Sequence, residues 1–191
     1  MRLGVRLPQS IMGLVLAGPL LWSACIKTPT DGGDYQPPPN QNPNILSLSS
    51  GTASAGDTGV VIDVNLHNVE PIAGVALSIV YDSTVLKPSD TPYLKPARAS
   101  QMDNYQGNFS TPGVVKFVML SIFSNPPGRI DVGDGPILQL LFDVKPTAPA
   151  SASQIRFVND SNPPPEDNQL SDTTGTRLII PQLENGTFTV Q

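Results

Sequence analysis

The sequence is short of cysteine, histidine, tryptophan and charge: its 191 residues include one Cys, one His and one Trp, and 14% are charged. A lone Cys excludes a disulfide scaffold and a Cys-based zinc site. A lone His excludes a two-His metal site. It leaves any Ser-His-Asp triad resting on His67, with no Gly-x-Ser-x-Gly elbow to present a nucleophile. His67 falls at a strand end on the polar side, where a solvated residue is expected rather than a base. A formal net charge of −5 supplies no basic footprint for nucleic acid. Few charges together with 21 Pro exclude coiled coils and helical repeats. No Gly-rich phosphate loop leads into a helix, because Gly133-Asp134-Gly135 leads into a strand-like run. No spacing nominates a pair of catalytic carboxylates: Glu70, Glu166 and Glu184 all fall in loops or turns. The inventory argues against an enzyme.

What is present divides the chain into three. Residues 1–24 read as an export leader, with Arg2 and Arg6 ahead of an apolar run from Ile11 to Trp22 and then Ser23 and Ala24. The run is too short and too interrupted by Pro for a spanning helix. The only Cys, Cys25, stands where the small-residue junction ends, so the leader resembles a bacterial lipoprotein signal. That resemblance implies Cys25 as the lipidated first residue, a membrane contact through lipid alone, and a place in the bacterial cell envelope facing the periplasm or the exterior. Cleavage there would leave 9 basic against 16 acidic residues and remove the only Trp. Residues 25–44, with Pro37, Pro38, Pro39, Pro43 and the Gly32-Gly33 joint, read as a tether.

Residues 45–191 form the expected domain. Val60, Ile62, Val64 and Leu66 alternate with Val61, Asp63, Asn65 and His67, the period-two pattern of a half-buried strand. The same pattern recurs at Leu77 to Tyr81, Leu138 to Val144, and in shorter runs at 155–158, 177–180 and 187–190, while 114–123 is apolar on both faces. Turn signals separate them, among them Gly133-Asp134-Gly135-Pro136 and Asn185-Gly186. Only Ala97 to Asn104 offers a helical turn. The pattern predicts an all-β, two-sheet antiparallel sandwich. The segment from Lys87 to Phe109 reads as one long loop.

Three stretches together resemble the cohesin domain. Val60 to Leu86 contains a strand closing in Tyr81-Asp82 followed by Val85-Leu86; Gly133 to Ala150 has Asp-Gly before an alternating strand with a Val-Lys tail; Glu184 to Val190 matches the closing Asn-Gly strand. Read from the residues alone, Tyr81 buries its ring, Asp82 caps a turn through its carboxylate, and Val85 and Leu86 re-enter the core. The resemblance implies a jelly-roll sandwich of about nine strands, non-catalytic, that binds a dockerin-bearing protein on one sheet face and so recruits an exported partner, as in polysaccharide catabolism. By position that face would comprise Ala76, Ser78 and Val80, with Gly74 beside them, and either Lys116, Val118, Leu120 and Ile122 or the opposite parity. An apolar row such as Val118, Leu120 and Ile122 fits a contact surface, unless the 87–109 segment covers it. Typical dockerin-binding members carry Asn and Asp where Gly74 and Ala76 stand, so those two hydrogen-bonding side chains are missing here.

Two other readings are carried forward. Related sandwiches bind carbohydrate, which would require exposed aromatics, and Tyr93 with Tyr105 is the one candidate pair. A structural domain of an envelope assembly is the other. No cofactor is expected. The acids Asp160, Glu166, Asp167 and Asp172 have the hard oxygens Ca²⁺ takes, but their spacing matches no EF-hand, and a solvated acidic loop is the plainer reading.

Overall fold

The alternating runs become strands, and the inward half of each alternation becomes the core. The structure, a computed structural model, describes residues 44–121, 127–159 and 167–191. The expected leader, Cys25, the tether up to residue 43, Ile122, Asp160 and Glu166 therefore lie outside the described residues.

Thirteen strands occur among the described residues, in the order β1 (Ile45–Leu48), β2 (Gly51–Ala53), β3 (Val60–His67), β4 (Ile72–Val80), β5 (Leu86–Leu94), β6 (Asn104–Asn108), β7 (Val114–Leu120), β8 (Pro136–Val144), β9 (Ala152–Phe157), β10 (Gln169–Asp172), β11 (Leu178–Ile179), β12 (Gln182–Glu184) and β13 (Gly186–Val190). They exceed the nine expected because short pairings break the chain into more pieces than its periodicity suggests. One 3₁₀ turn, Ala97–Ala99, occupies the place where a helical turn was expected. The all-β sandwich is as predicted: a five-stranded sheet ordered β12-β1-β3-β8-β5 faces an eight-stranded one. In the larger sheet β4 pairs with β7 along one side, and with β10 and β9 in succession along the other. Pairing is antiparallel except at two edges, where β12 lies parallel to β1 and β2 parallel to β13.

The small sheet sends Leu46, Ile62, Val64, Leu66, Leu140 and Phe142 inward, and the large sheet sends Val75, Leu77, Ile79, Val115, Phe117, Met119 and Phe188. Burying each such side chain contributes roughly 1.5–3 kcal/mol. Tyr81 is buried as expected, its ring centroid 4.9 Å from that of Phe142. Asp82 accepts hydrogen bonds from the backbone N–H and hydroxyl of Thr84, which hold its carboxyl below the usual range.

The segment expected as a long loop is instead β5, the 3₁₀ turn and β6. Its aromatics are drawn into the open side of the sandwich. Tyr93 meets Phe117 edge-on at 4.8 Å, Tyr105 meets the same ring at 5.4 Å, and Tyr93 lies parallel to Phe109 at 6.1 Å. The Tyr105 hydroxyl donates to the Ile137 carbonyl on the opposite sheet. Burial pushes its pKa up.

Arg98, on the 3₁₀ turn, ties one end of the sandwich together. Its Nη1 lies 2.8 Å from the Leu66 carbonyl oxygen and 3.3 Å from that of Gly135. Its Nη2 faces the carbonyls of Gly133 at 2.7 Å and Asp131 at 3.1 Å, and the side-chain oxygen of buried Asn68. Gly133 and Gly135, with φ of 144° and 130°, turn those carbonyls toward the guanidinium. Burial lowers the Arg98 pKa and the charges of Asp134 and Asp131 oppose that, so the group stays a cation.

Arg98→Met should therefore destabilise the domain by about 2–3 kcal/mol, because several carbonyls lose a charged donor at once. Thermal denaturation should show a melting temperature lower by about 8 °C. Arg98→Lys should recover little, since an ammonium lacks the planar fork. A fall under about 2 °C in Arg98→Met would show that the loops hold without the clamp.

Candidate functional site

The outer face of the large sheet is set by the register of its strands, since directly paired residues share a face. With Val115, Phe117 and Met119 buried, Lys116, Val118 and Leu120 point outward, which settles the parity that the sequence left open. Four rows cross the sheet. Asn104, Leu120, Gly74, Ser171 and Leu178 form one; Gln106, Val118, Ala76 and Gln169 the next; then Asn108, Lys116 and Ser78; and last Val114, Val80 and Arg156. Strand β6 extends the sheet beside β7, so the 87–109 segment does not lie over the apolar row.

The expected face residues Ala76, Val80, Val118 and Leu120 are thus on one surface. Ser78 faces the same way but is buried at 2% exposure, because its backbone N–H and carbonyl are engaged by Asn168 and Val158 on the neighbouring chain segment. It is a floor residue, not a contact residue. Ile122 lies outside the described residues.

The first two rows enclose a shallow depression of about 90 Å³, lined by Gly74, Ala76, Val118, Leu120, Gln169, Ser171 and Leu178. Its rim is apolar: Leu178 is 55% exposed and Val118 38%. A Cβ on Gly74 would come within 2.4 Å of the Ser171 hydroxyl and 3.0 Å of Leu120, so the bare glycine lets both side chains close over this floor as they stand. The Gln169 side-chain oxygen is buried and accepts no hydrogen bond from any described group. Unsatisfied buried acceptors cost free energy. At the margin, Arg177 pairs with Glu70 and lies 4.0 Å from Asp172, whose carboxylate also accepts from Thr174.

Sequence reasoning missed Gln169, Ser171, Leu178 and Arg156 as members of this surface. Only the short apolar run at 177–180 hinted at them, and nothing local shows that β9 and β10 share one side of β4.

The other candidate groups lie elsewhere. Tyr93 and Tyr105 are not an exposed platform: both rings pack against the core between the sheets, a correction that follows from their position on β5 and β6. His67 Nδ1 lies 2.5 Å from Asp134 Oδ1, at a wide groove of about 580 Å³ on the small sheet of mixed lining, with Ile45 and Leu66 beside Ser47, Asn65 and Glu184. Among the described residues no three His, Cys, Asp or Glu side chains group to hold a metal. Asp172, one of the four acids weighed for Ca²⁺, spends its oxygens on Thr174, Thr176 and Arg177.

With this geometry in view, comparison with known proteins is specific. The family model described as "Cohesin domain" matches residues 46–178. No curated protein sequence matches. Among solved structures, the OlpA cohesin of Clostridium thermocellum, in a type I cohesin–dockerin complex, has a TM-score of 0.66 at 18% identity over 78% of this chain and 100% of its own. The sixth cohesin of scaffoldin B from Acetivibrio cellulolyticus, bound to a mutant Cel5 dockerin, has 0.65 at 20% over 78% and 99%. A non-cellulosomal cohesin from the archaeon Archaeoglobus fulgidus has 0.60 at 17% over 78% and 91%.

The orphaned acceptor gives a direct test of the depression. Gln169→Leu should leave the domain as stable as before, or more stable by about 1 kcal/mol, because an unpaired buried oxygen is removed from an apolar setting. Chemical denaturation measures this. A loss of more than about 1 kcal/mol would show that the amide is held by the fold.

Proposed function

The chain belongs to the cohesin domain family, a family of non-catalytic protein-interaction modules, and from that premise we propose that the domain recruits a dockerin-bearing exported protein through the outer face of its large sheet. One observation carries the choice of face: Val118, Leu120, Ala76 and Leu178 form a contiguous apolar depression on outward strand positions, where polar side chains would otherwise meet water. The neighbours described as complexes are bound to dockerins, which supports the class of partner. The family match makes the module's product proximity, not a reaction. Holding an exported enzyme near its polymer is one use of such proximity.

The reading extends to the N-terminus. Lipidation at Cys25 would hold the domain at the envelope, and the Pro-rich stretch after it would set it off the membrane.

Two measurements test these statements. Residues 44–191, immobilised, should retain at least one dockerin from a panel taken from the same genome and from the complexes above. Val118→Asp should weaken that binding more than about tenfold while leaving the melting temperature within a few degrees, since Val118 is outside the core. Retention of no dockerin would remove the proposed function; unchanged binding by Val118→Asp would remove this face. Separately, full-length protein expressed in a bacterium should incorporate labelled fatty acid and fractionate with membranes, and Cys25→Ser should abolish both. Label-free protein in the soluble fraction would refute the anchor.

A further inference from the structure

The chemistry of the outer face points to the chemistry of what covers it. Outward positions on β4, β6, β7 and β9 include two cations, Lys116 and Arg156, and no Asp or Glu. This is the reverse of the whole chain, where 16 acidic residues outnumber 11 basic ones. Lys116 and Arg156 are both exposed, and neither makes an ion pair with a described residue. They flank β4 on opposite sides, Lys116 opposite Ser78 and Arg156 opposite Val80. The apolar depression lies at the other end of the same strand, around Gly74 and Ala76. The basic Arg177 at the margin does not alter this division, because Glu70 and Asp172 already neutralise it.

We propose, building on the docking face assigned above, that the partner is acidic where it meets this sheet: an apolar side chain seats in the Val118–Leu120–Leu178 depression and carboxylates over the Ser78–Val80 end of β4 face Lys116 and Arg156. The specificity of the module is then electrostatic as well as apolar. A carboxylate pairs with each cation without a competing acid on β4, β6, β7 or β9, and Asp172 at the end of β10 is engaged by Thr174 and Arg177. A basic partner surface would meet two like charges that make no ion pair with a described residue, a repulsive arrangement that rejects wrong partners. Gly74 and Ala76 themselves offer no side-chain hydrogen-bonding group, so at the centre of the face shape and charge placement act in recognition.

The experiment uses the dockerin panel just described against the wild-type domain, Lys116→Glu/Arg156→Glu and Val118→Asp, with affinities measured in 0.05 and 0.5 M NaCl. The expected result is that the dockerins retained are those acidic on their contact surface. Their affinity should fall about tenfold or more in the double charge reversal, and also fall with salt, as screening shortens the reach of surface charges. Both cations are exposed, so circular dichroism and melting temperature should not change. If Val118→Asp abolishes binding while the double charge reversal and salt leave it unchanged, the acidic partner is overturned and the docking face stands. If no dockerin binds the wild type, both fall.

Discussion

The antiparallel pairing of β4 with β7 is the constraint on which the rest depends. Seven residue pairs, from Gly74 with Leu120 to Val80 with Val114, lock the two strands in one register. Within it Val75, Leu77 and Ile79 share the inner side with Met119, Phe117 and Val115. A slip of one residue would turn that whole set to water and bring Lys116 into the core. Burial of the inner set therefore dictates the outer set. The outward row of exposed Val118 and half-buried Leu120 beside Ala76 is tolerated because the alternative register is far worse, and it is available as a surface for the same reason.

The second constraint acts at the end of the sandwich, where loops rather than strands must be held. Backbone carbonyls of Leu66, Asp131, Gly133 and Gly135 converge there, and one guanidinium adds a charged donor to all four, of which Gly135, Gly133 and Asp131 also accept from Leu66 and Asn68. A positive group at this point is favoured by Asp131 and Asp134 nearby, which offset the cost of partly burying it. Fixing 131–135 also fixes where Asp134 meets His67. The lone histidine is thus part of a polar pair on the small sheet, rather than the isolated solvated residue that its strand-end position suggests.

The sandwich was legible because alternation reports burial directly: Ile62, Val64, Leu66, Leu138, Leu140 and Phe142 are inward in the sequence pattern and in the structure. Tyr81, Asp82, Val85 and Leu86 were legible for a similar reason, since a turn capped by a carboxylate between two apolar residues is a local event. The 87–109 segment was not legible. Pro88, Pro92 and a bulge between Pro88 and Tyr93 erase the alternation of β5, as suits an edge strand, and leave Tyr93 and Tyr105 resembling loop aromatics. The outer face of the large sheet was half legible. Its β4 and β7 members follow from parity, but Gln169, Leu178 and Arg156 reach it through pairings between residues far apart in the chain, and no local pattern encodes those.

The outer face also explains a feature that stability alone would not produce. A sheet selected only to fold would pair the Gln169 oxygen and place charged groups over Val118 and Leu178. Here the oxygen is unpaired and the rim is apolar. Both departures occur within one depression of about 90 Å³. Scattered departures would read as drift. Concentrated on the outer face of the large sheet, at the other end of β4 from Lys116 and Arg156, they fit a surface that meets a partner.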